Sequence, residues 1–555
     1  MASDFDPKNS EVLYVPLGGA GEIGRNMYLY GHAGKWLLVD CGISFAHDGI
    51  PGIDLLMSDP EFILERKESL VGMIVTHAHE DHIGAIPYVI EELGCPIYTT
   101  RFTAAMIKTK LEETGLNRKV KTHIIESNRE FSVGPFDLQF LPLTHSIPDN
   151  HSLVIKTKIG TIFHTGDWKF DPTPVIGEPT DFHALHELGE RRVMAMICDS
   201  TNVFEPGEGG SEQAVRQSLK KIIAEQTGKV AVTLFASNVA RLKSVAEAAE
   251  AADRHVVLAG RSLHRVYDIA TQLGYIKEIP NLIDEEQVGY FPDNKILFLC
   301  TGCQGERMSA MDKIAGGMHQ HIKLGDGDTV IFSSREIPGN ELAIQQIQNR
   351  LARLGVHIIT ADSHFTHVSG HPYRDELTKM YQLIRPRLAI PMHGELRHLL
   401  THQELAQKCG VRDALVVENG EVIRILPDRS EYVGTIPTDV LALDGDQWIR
   451  LNSEVFKEKH KFNWNGAMVI SVALDKKGQL VTGPEISLMG VVEHDQLDQV
   501  TENVADAVEE SLNKTSKSER IDDAAMAEKI RIAAQRVVQA VSGKKPLGRV
   551  HILRV

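Results

Sequence analysis

Short apolar runs separated by turn residues dominate the first part of the chain. Positions 12–16, 27–30, 36–40, 72–76, 96–99, 138–143, 152–157 and 161–164 each hold a run of strand length, too short for a helix. Beyond Gly210 the pattern changes. Residues 211–225 have helical spacing, opened by Ser211 and Glu212. Strand-like runs at 230–235, 256–259, 296–300 and 329–333 then alternate with helix-like stretches at 242–251 and 263–273. Such alternation predicts an α/β insert. From about residue 363 histidines and glycines return, and a strand ends in the run 389–395, which reads as a return to the first domain. The predicted boundaries are 1–208 and 363–430 for the first domain, 209–362 for the insert, 431–462 for a linker and 463–555 for a small α/β domain. That last domain is expected to hold two strands, a long helix-prone stretch at 493–541 and a final strand at 549–555.

Composition adds limits. The chain has 555 residues, 42% hydrophobic and 24% charged, which is ordinary for a globular protein with large cores. Six scattered cysteines favour a reducing compartment over a disulfide framework, so a cytoplasmic location is expected. The first residues carry no basic segment followed by an apolar one, so no signal peptide is expected. No apolar run is long enough for a membrane span. The net charge of −16 argues against a nonspecific nucleic-acid binder of the basic-tail type. It leaves a nucleic-acid enzyme open, because bound cations would supply positive charge where phosphate must sit. The basic stretches at 118–121 and at Lys544, Lys545 and Arg549 read first as solvated faces.

Chemistry concentrates at His77-Ala78-His79-Glu80-Asp81-His82. Five of these six side chains can ligate a metal, and they follow a buried-strand pattern. Ligands this dense at a strand's end can face two ions at once, and imidazole with carboxylate suits zinc, then manganese. A dinuclear site needs further ligands from other strand ends. His145, Asp167 and His393 each follow an apolar strand beside small or turn residues. Two motifs are decoys. Gly19-Ala20-Gly21-Glu22-Ile23-Gly24, with Asp40 downstream, imitates a dinucleotide fingerprint but lacks the required helix, and a glycine turn joining antiparallel strands is the better reading. Cys300-Thr301-Gly302-Cys303 is a single CxxC with no second pair nearby.

Together, the cluster from His77 to His82, His145 and Gly166-Asp167 resemble the metallo-β-lactamase superfamily. Asp199 in Cys198-Asp199-Ser200-Thr201, His371 in His367-Val368-Ser369-Gly370-His371, and His393 in Pro391-Met392-His393-Gly394-Glu395 resemble the three motifs of its β-CASP nucleases. Within that group the chain is similar to the bacterial ribonuclease J family over nearly its whole length, most weakly in the C-terminal part. The resemblance implies a metallo-β-lactamase αββα sandwich, an inserted α/β β-CASP domain and a small C-terminal α/β domain. It implies two divalent ions, zinc first with Mn²⁺ or Mg²⁺ as alternatives. His77, His79 and His145 would hold one ion and Asp81, His82 and His393 the other, with Asp167 as the bridge. It also implies that Phe235, Ala236 and Ser237, with His367, Val368, Ser369, Gly370 and His371, hold substrate. Cys303 and Ala240 depart from the residue types expected at their positions and leave fine substrate preference open.

The implied activity is metal-dependent cleavage of single-stranded RNA. It is 5′-to-3′ exonucleolytic with preference for a 5′ monophosphate, with endonuclease cleavage as a second mode, in RNA decay and rRNA processing. Two ions would supply hydroxide near neutral pH and offset charge on the phosphodiester. The catalytic candidates are Asp81, Asp199 and His371. His371 is the candidate acid for the leaving oxygen, oriented by Asp199; the alternative is that Asp199 caps a turn and His371 only binds phosphate. Phe45 is a candidate base-stacking residue or local packing. Arg241, Arg261, Ser262 and the run 333–336 are candidate phosphate donors or ordinary turn and capping residues. Homodimer or homotetramer assembly and RNA-decay protein partners are expected from the family, and no membrane association. Two rival readings are a small-molecule metallohydrolase, such as a lactonase or thioesterase, and a catalytically weak RNA-binding scaffold subunit.

Overall fold

A computed structural model describes residues 5–46, 50, 52–516 and 519–555. The chain divides into two units, residues 1–44 with 57–438, and residues 45–56 with 439–555.

The first unit is built on two sheets. One has eight strands and contains Val12–Gly18, Met27–His32, Lys35–Val39 and Leu70–Ile74. The other has seven and contains Phe136–Pro142, His151–Thr157, Gly160–His164, Ala195–Asp199 and Leu388–Met392. Tyr14, Tyr30, Leu37 and Ile74 of the first meet Phe140, Leu153, Ile197 and Ile390 of the second in one core. Helices Phe182–Glu190 and Arg374–Ile384 cover the outer face of the second sheet through Leu185, Leu188, Leu377 and Tyr381. Strands Ala195–Asp199 and Leu388–Met392 are buried at every position. A strand covered on both faces needs no apolar–polar alternation, which is why they read as continuous apolar runs.

Between those two neighbouring strands the chain inserts a five-stranded parallel sheet. Its order is His255–Ala259, Ile296–Cys300, Val230–Thr233, Thr329–Phe332, His357–Ile359. Val230–Thr233 comes first in sequence but lies at the centre, so the chain builds to one side and then to the other. The crevice beyond the carboxyl end of such a central strand is where open parallel sheets bind ligands. The loop Phe235-Ala236-Ser237 lies there. Helix Glu212–Ala224 opens with the Ser211 hydroxyl accepting from Gln213 N and buries Val215, Leu219 and Ile223.

In the second unit, Val440–Asp444 and Gln447–Arg450 form a hairpin with Ile53, Leu56 and Ala442 buried beside it. The stretch 431–462, predicted as a linker, is therefore structured, with most of strand Ser430–Thr435 and the start of helix Glu454–Asn465 also within it. Only Ile436 and Ala442 of that stretch are buried apolar residues, so its elements leave little hydrophobic signal in the sequence. The three-stranded sheet orders Glu485–Met489, Ala467–Leu474 and Leu547–Arg554. Helices Leu497–Lys514 and Asp523–Ser542 present Val500, Val504, Val508 and Leu512, and Met526, Ile530, Ala534 and Val538. That four-residue spacing lines one face of each helix. The predicted single helical stretch breaks in two where Asp522 caps the second helix by accepting from Ala524 N and Ala525 N.

Candidate metal centre

The predicted ligands lie at one edge of the sandwich, where strands Leu70–Ile74, Phe136–Pro142, Gly160–His164, Ala195–Asp199 and Leu388–Met392 end. Two ligand groups form there, His77, His79, His145 and Asp167, and Asp81, His82, Asp167 and His393. Within each group the ligand atoms lie within 4.8 Å of one another, and Asp167 belongs to both. A third group joins Asp199, His371 and His393.

Their hydrogen bonds fix which nitrogen faces inward. His145 Nδ1 lies 2.6 Å from the Gly370 carbonyl oxygen, which only accepts, so Nδ1 carries the proton and Nε2 offers its lone pair. His82 Nδ1 donates to Asp40 Oδ2 at 2.8 Å. Thr76 donates its hydroxyl to Asp40 and so accepts from His77 Nδ1 at 3.0 Å. Likewise Thr201 donates to Asp199 Oδ1 and accepts from His393 Nδ1, both at 2.7 Å. His79 instead turns Nδ1 inward, 3.1 Å from His77 Nε2 and 3.0 Å from His145 Nε2. Outer partners of this kind hold metal-binding imidazoles in one tautomer.

The donor set fits a divalent cation. Three ring nitrogens converge, those of His77 and His145 as lone pairs, and burial lowers the pKa of His77 and His145 well below the ordinary value and that of His79 to about 4. Nitrogens each about 2.0 Å from one tetrahedral zinc would lie about 3.3 Å apart. Asp167 Oδ2 sits 3.2 Å from His82 Nε2 and 3.8 Å from His77 Nε2 and His145 Nε2, and its buried Oδ1 has no hydrogen-bond partner. A buried carboxylate with one oxygen among ring nitrogens and the other unpartnered among the described residues is an unmet need for positive charge. In the second group, burial works against charged imidazole, but Asp167, Asp81 and Asp40 outweigh it and raise His82. Asp167, Asp81 and Asp199 likewise raise His393 to about 9.

Beside the ligands, His371 Nδ1 lies 2.8 Å from Asp199 Oδ2. Burial works against a charged His371, yet Asp199 and Asp167 raise its pKa. The loop holding it is close-fitted, since a Cβ at Gly370 would lie 2.8 Å from the His145 ring. At the other flank, a Cβ at Gly42 would lie 1.6 Å from the Asp81 carbonyl, so only glycine lets that backbone approach the ligand loop.

The predicted substrate residues fall on two loops, with one buried arginine beside both. Arg241 Nη1 donates to Ser333 O and Oγ and to Thr366 O, and Arg241 N donates to Asn238 Oδ1 at 2.9 Å. The helix that follows the loop Phe235-Ala236-Ser237 is thereby tied to Thr366, the residue before His367. Arg241 is fully buried and paired with Glu212 through Nε and Nη2 at 3.0 and 2.8 Å. It is thus a structural strut, buried away from any phosphate on the surface. Ser333 and Ser334 are buried as well. Arg335 pairs with Glu205, Arg261 and Ser262 lie on the surface, and Phe45 is 69% exposed. The glycine turn does join antiparallel strands, and Gly19 O also accepts from His393 N at 2.6 Å. Sequence reasoning missed Asn26, Asp40, Thr76, Thr201 and Asn202. Asn26 donates to Asp81 Oδ2 at 3.2 Å and meets His82 Nε2 at 3.0 Å.

Four family models match the chain: the metallo-beta-lactamase superfamily over 20–233, the ribonuclease J beta-CASP domain over 227–351, the Zn-dependent metallo-hydrolase RNA specificity domain over 355–417 and the ribonuclease J C-terminal domain over 454–555. A ribonuclease J of Sinorhizobium meliloti is 39% identical over 553 residues, 99% of this chain and 98% of that protein. A ribonuclease J of Thermus thermophilus is 37% identical over 83% of this chain and 82% of its own length. The crystal structure of a protein of unknown function from Enterococcus faecalis V583 aligns over 75% of this chain and 100% of its own, with TM-score 0.53 and 17% identity, a likeness of fold alone. The architecture is the expected one, a metallo-β-lactamase sandwich with an inserted β-CASP domain and a C-terminal domain. Among the described residues no helix is long and apolar enough to cross a membrane.

Proposed function

The chain belongs to the ribonuclease J family and is a metal-dependent ribonuclease, and from that premise we propose that it degrades single-stranded RNA from the 5′ end in the cytoplasm. It favours a 5′ monophosphate, cuts internally as a second mode, and serves RNA decay and rRNA processing. The observation that carries this reading is the carboxylate shared by two ligand groups, with an Asp–His pair and a serine–glycine–histidine loop at the same edge.

In this reading His77, His79 and His145 hold one divalent ion, Asp81, His82 and His393 the other, and Asp167 joins them. Two zinc ions there would supply hydroxide near neutral pH and offset the phosphodiester's growing charge. His371, with Nδ1 held by Asp199, presents Nε2 and gives its proton to the leaving 3′ oxygen. Ser369, Gly370 and Ser237 receive the terminal phosphate, and Phe235 and His367 flank the terminal nucleotide.

The test is a time course on one RNA carrying a 5′ monophosphate, triphosphate or hydroxyl, with added Mn²⁺ or Zn²⁺, beside His79→Ala. Mononucleotide release that is fastest from the monophosphate and lost in the variant is expected. Internal fragments indifferent to the 5′ end would make the enzyme chiefly an endonuclease, and no metal-dependent cleavage would overturn the reading.

A further inference from the structure

Asn202 is 8% exposed and lies on the loop that follows strand Ala195–Asp199. Its Nδ2 donates to Ser369 Oγ at 2.8 Å and to the His371 carbonyl oxygen at 3.1 Å. That carbonyl can only accept, so it fixes the amide with nitrogen, not oxygen, toward the loop. Ser369 Oγ therefore accepts from Asn202. It also accepts from the His371 backbone N–H at 3.2 Å.

A serine hydroxyl has two acceptor lone pairs and one proton. Both lone pairs of Ser369 are thus engaged by donors fixed in the fold, and among the described residues no acceptor takes its proton. Ser369 is itself 9% exposed. Gly370, the next residue, holds His145 through its carbonyl, so the hydroxyl stands one residue from a side chain of the metal centre. A hydroxyl in this condition acts as a donor only. A phosphate monoester offers charged oxygens that only accept, and a hydrogen bond to such an oxygen is stronger than one to a neutral hydroxyl.

We infer that Asn202 is a positioning residue for recognition of the RNA 5′ phosphate: by occupying the acceptor side of Ser369 it leaves the hydroxyl proton as the group offered to the phosphate. The inference rests on the reading of Ser369 as part of the end-measuring pocket.

The experiment compares initial rates on one RNA with a 5′ monophosphate and with a 5′ hydroxyl, for the unaltered protein, Asn202→Ala, Asn202→Ser, Asn202→Asp and Ser369→Ala. For Asn202→Ala the ratio of the two rates falls about tenfold, the scale of one hydrogen bond to a charged group, with the loss in KM for the monophosphate substrate. Asn202→Asp lowers the ratio further, because a carboxylate draws the serine proton to itself and sets a negative charge beside the phosphate. Asn202→Ser is read on the same ratio and decides the matter if the alanine variant does not fold. Loss of both rates in parallel in the Asn202 variants would mean a structural role and would overturn the inference. An unchanged ratio in Ser369→Ala would instead sink the end-measuring reading. A ratio that collapses in Ser369→Ala but holds in the Asn202 variants would remove Asn202 alone.

Discussion

The first unit contains two buried polar clusters of opposite character. At the root of the insert, Arg241 and Glu212 form a two-point ion pair, and Ser333 O, Thr366 O and Asp171 Oδ2 meet the groups around them. At the edge of the sandwich, five imidazoles and two carboxylates converge with ring nitrogens facing one another and one carboxylate oxygen left without a partner. Both clusters are buried, so burial does not separate structure from function. Closure does. The first satisfies itself from within the chain, whereas the second is complete only with something the chain does not contain.

The largest effect expected from breaking this contrast is at Asp167. Asp167→Asn keeps the shape and removes the shared charge, and activity on RNA should fall by about three orders of magnitude or more, the scale of losing several kcal/mol of cation-borne stabilisation. Metal content of the purified variant should fall with it, while its unfolding midpoint without metal should hold or rise.

Arg241→Ala should do the reverse. It strands the Glu212 carboxylate in the interior and should cost about 3–5 kcal/mol in urea unfolding, with metal still bound in whatever folds. The double change Arg241→Met with Glu212→Gln should recover most of that loss. If the single variant proves as stable as the original, the cluster is not the strut described.

Thr201→Val should be milder. It removes the hydroxyl linking His393 Nδ1 to Asp199, and outer partners of this kind are worth about 10–100-fold in metal affinity. A competition titration with a chelator reads this directly, and equal affinity would remove Thr201 from the centre.

The smallest effect is in pH. Burial opposes ionisation of Glu212, but Arg241 and Lys169 outweigh it and hold its pKa below the ordinary value. In acid the unfolded chain takes up this proton first. The stabilisation is therefore complete above about pH 5 and lost as pH falls below about 4. The stability difference between the original chain and Glu212→Gln should be flat above that range and close below it. A difference that widens in acid would reverse the assignment.

How much of each cluster was legible follows from where its partners lie in sequence. The seven residues that gather in the two groups were readable because four crowd into His77–His82 and the others each end an apolar strand. Their supports were not. Asp40 drew notice only as an acid downstream of a glycine motif, yet it holds His82 and Thr76. Thr201 lies in the Asp199 motif but its link to His393 spans 192 positions, and nothing local marks Asn202 or Asn26. Arg241 looked like a phosphate donor because Glu212, its counter-charge, is 29 positions upstream. In the second unit the amphipathic helices were visible by spacing, while the hairpin Val440–Arg450 was hidden by its mixed, half-exposed side chains.

Strands Ala195–Asp199 and Leu388–Met392 are neighbours in register, Asp199 beside Met392, yet the whole insert is made between them. During synthesis the amino end leaves the ribosome first, so the sandwich waits, without Leu388–Met392, Asp413–Ala414, Glu421–Ile425 and Ser430–Thr435, while the insert emerges and folds. His393, the last of the gathered residues in sequence, arrives only after strand Leu388–Met392. A nascent chain is thus held without its complete centre until most of its length has been translated, and closing so long a loop makes this a slow late step. For an enzyme born beside messenger and ribosomal RNA, chain order itself delays the onset of cleavage.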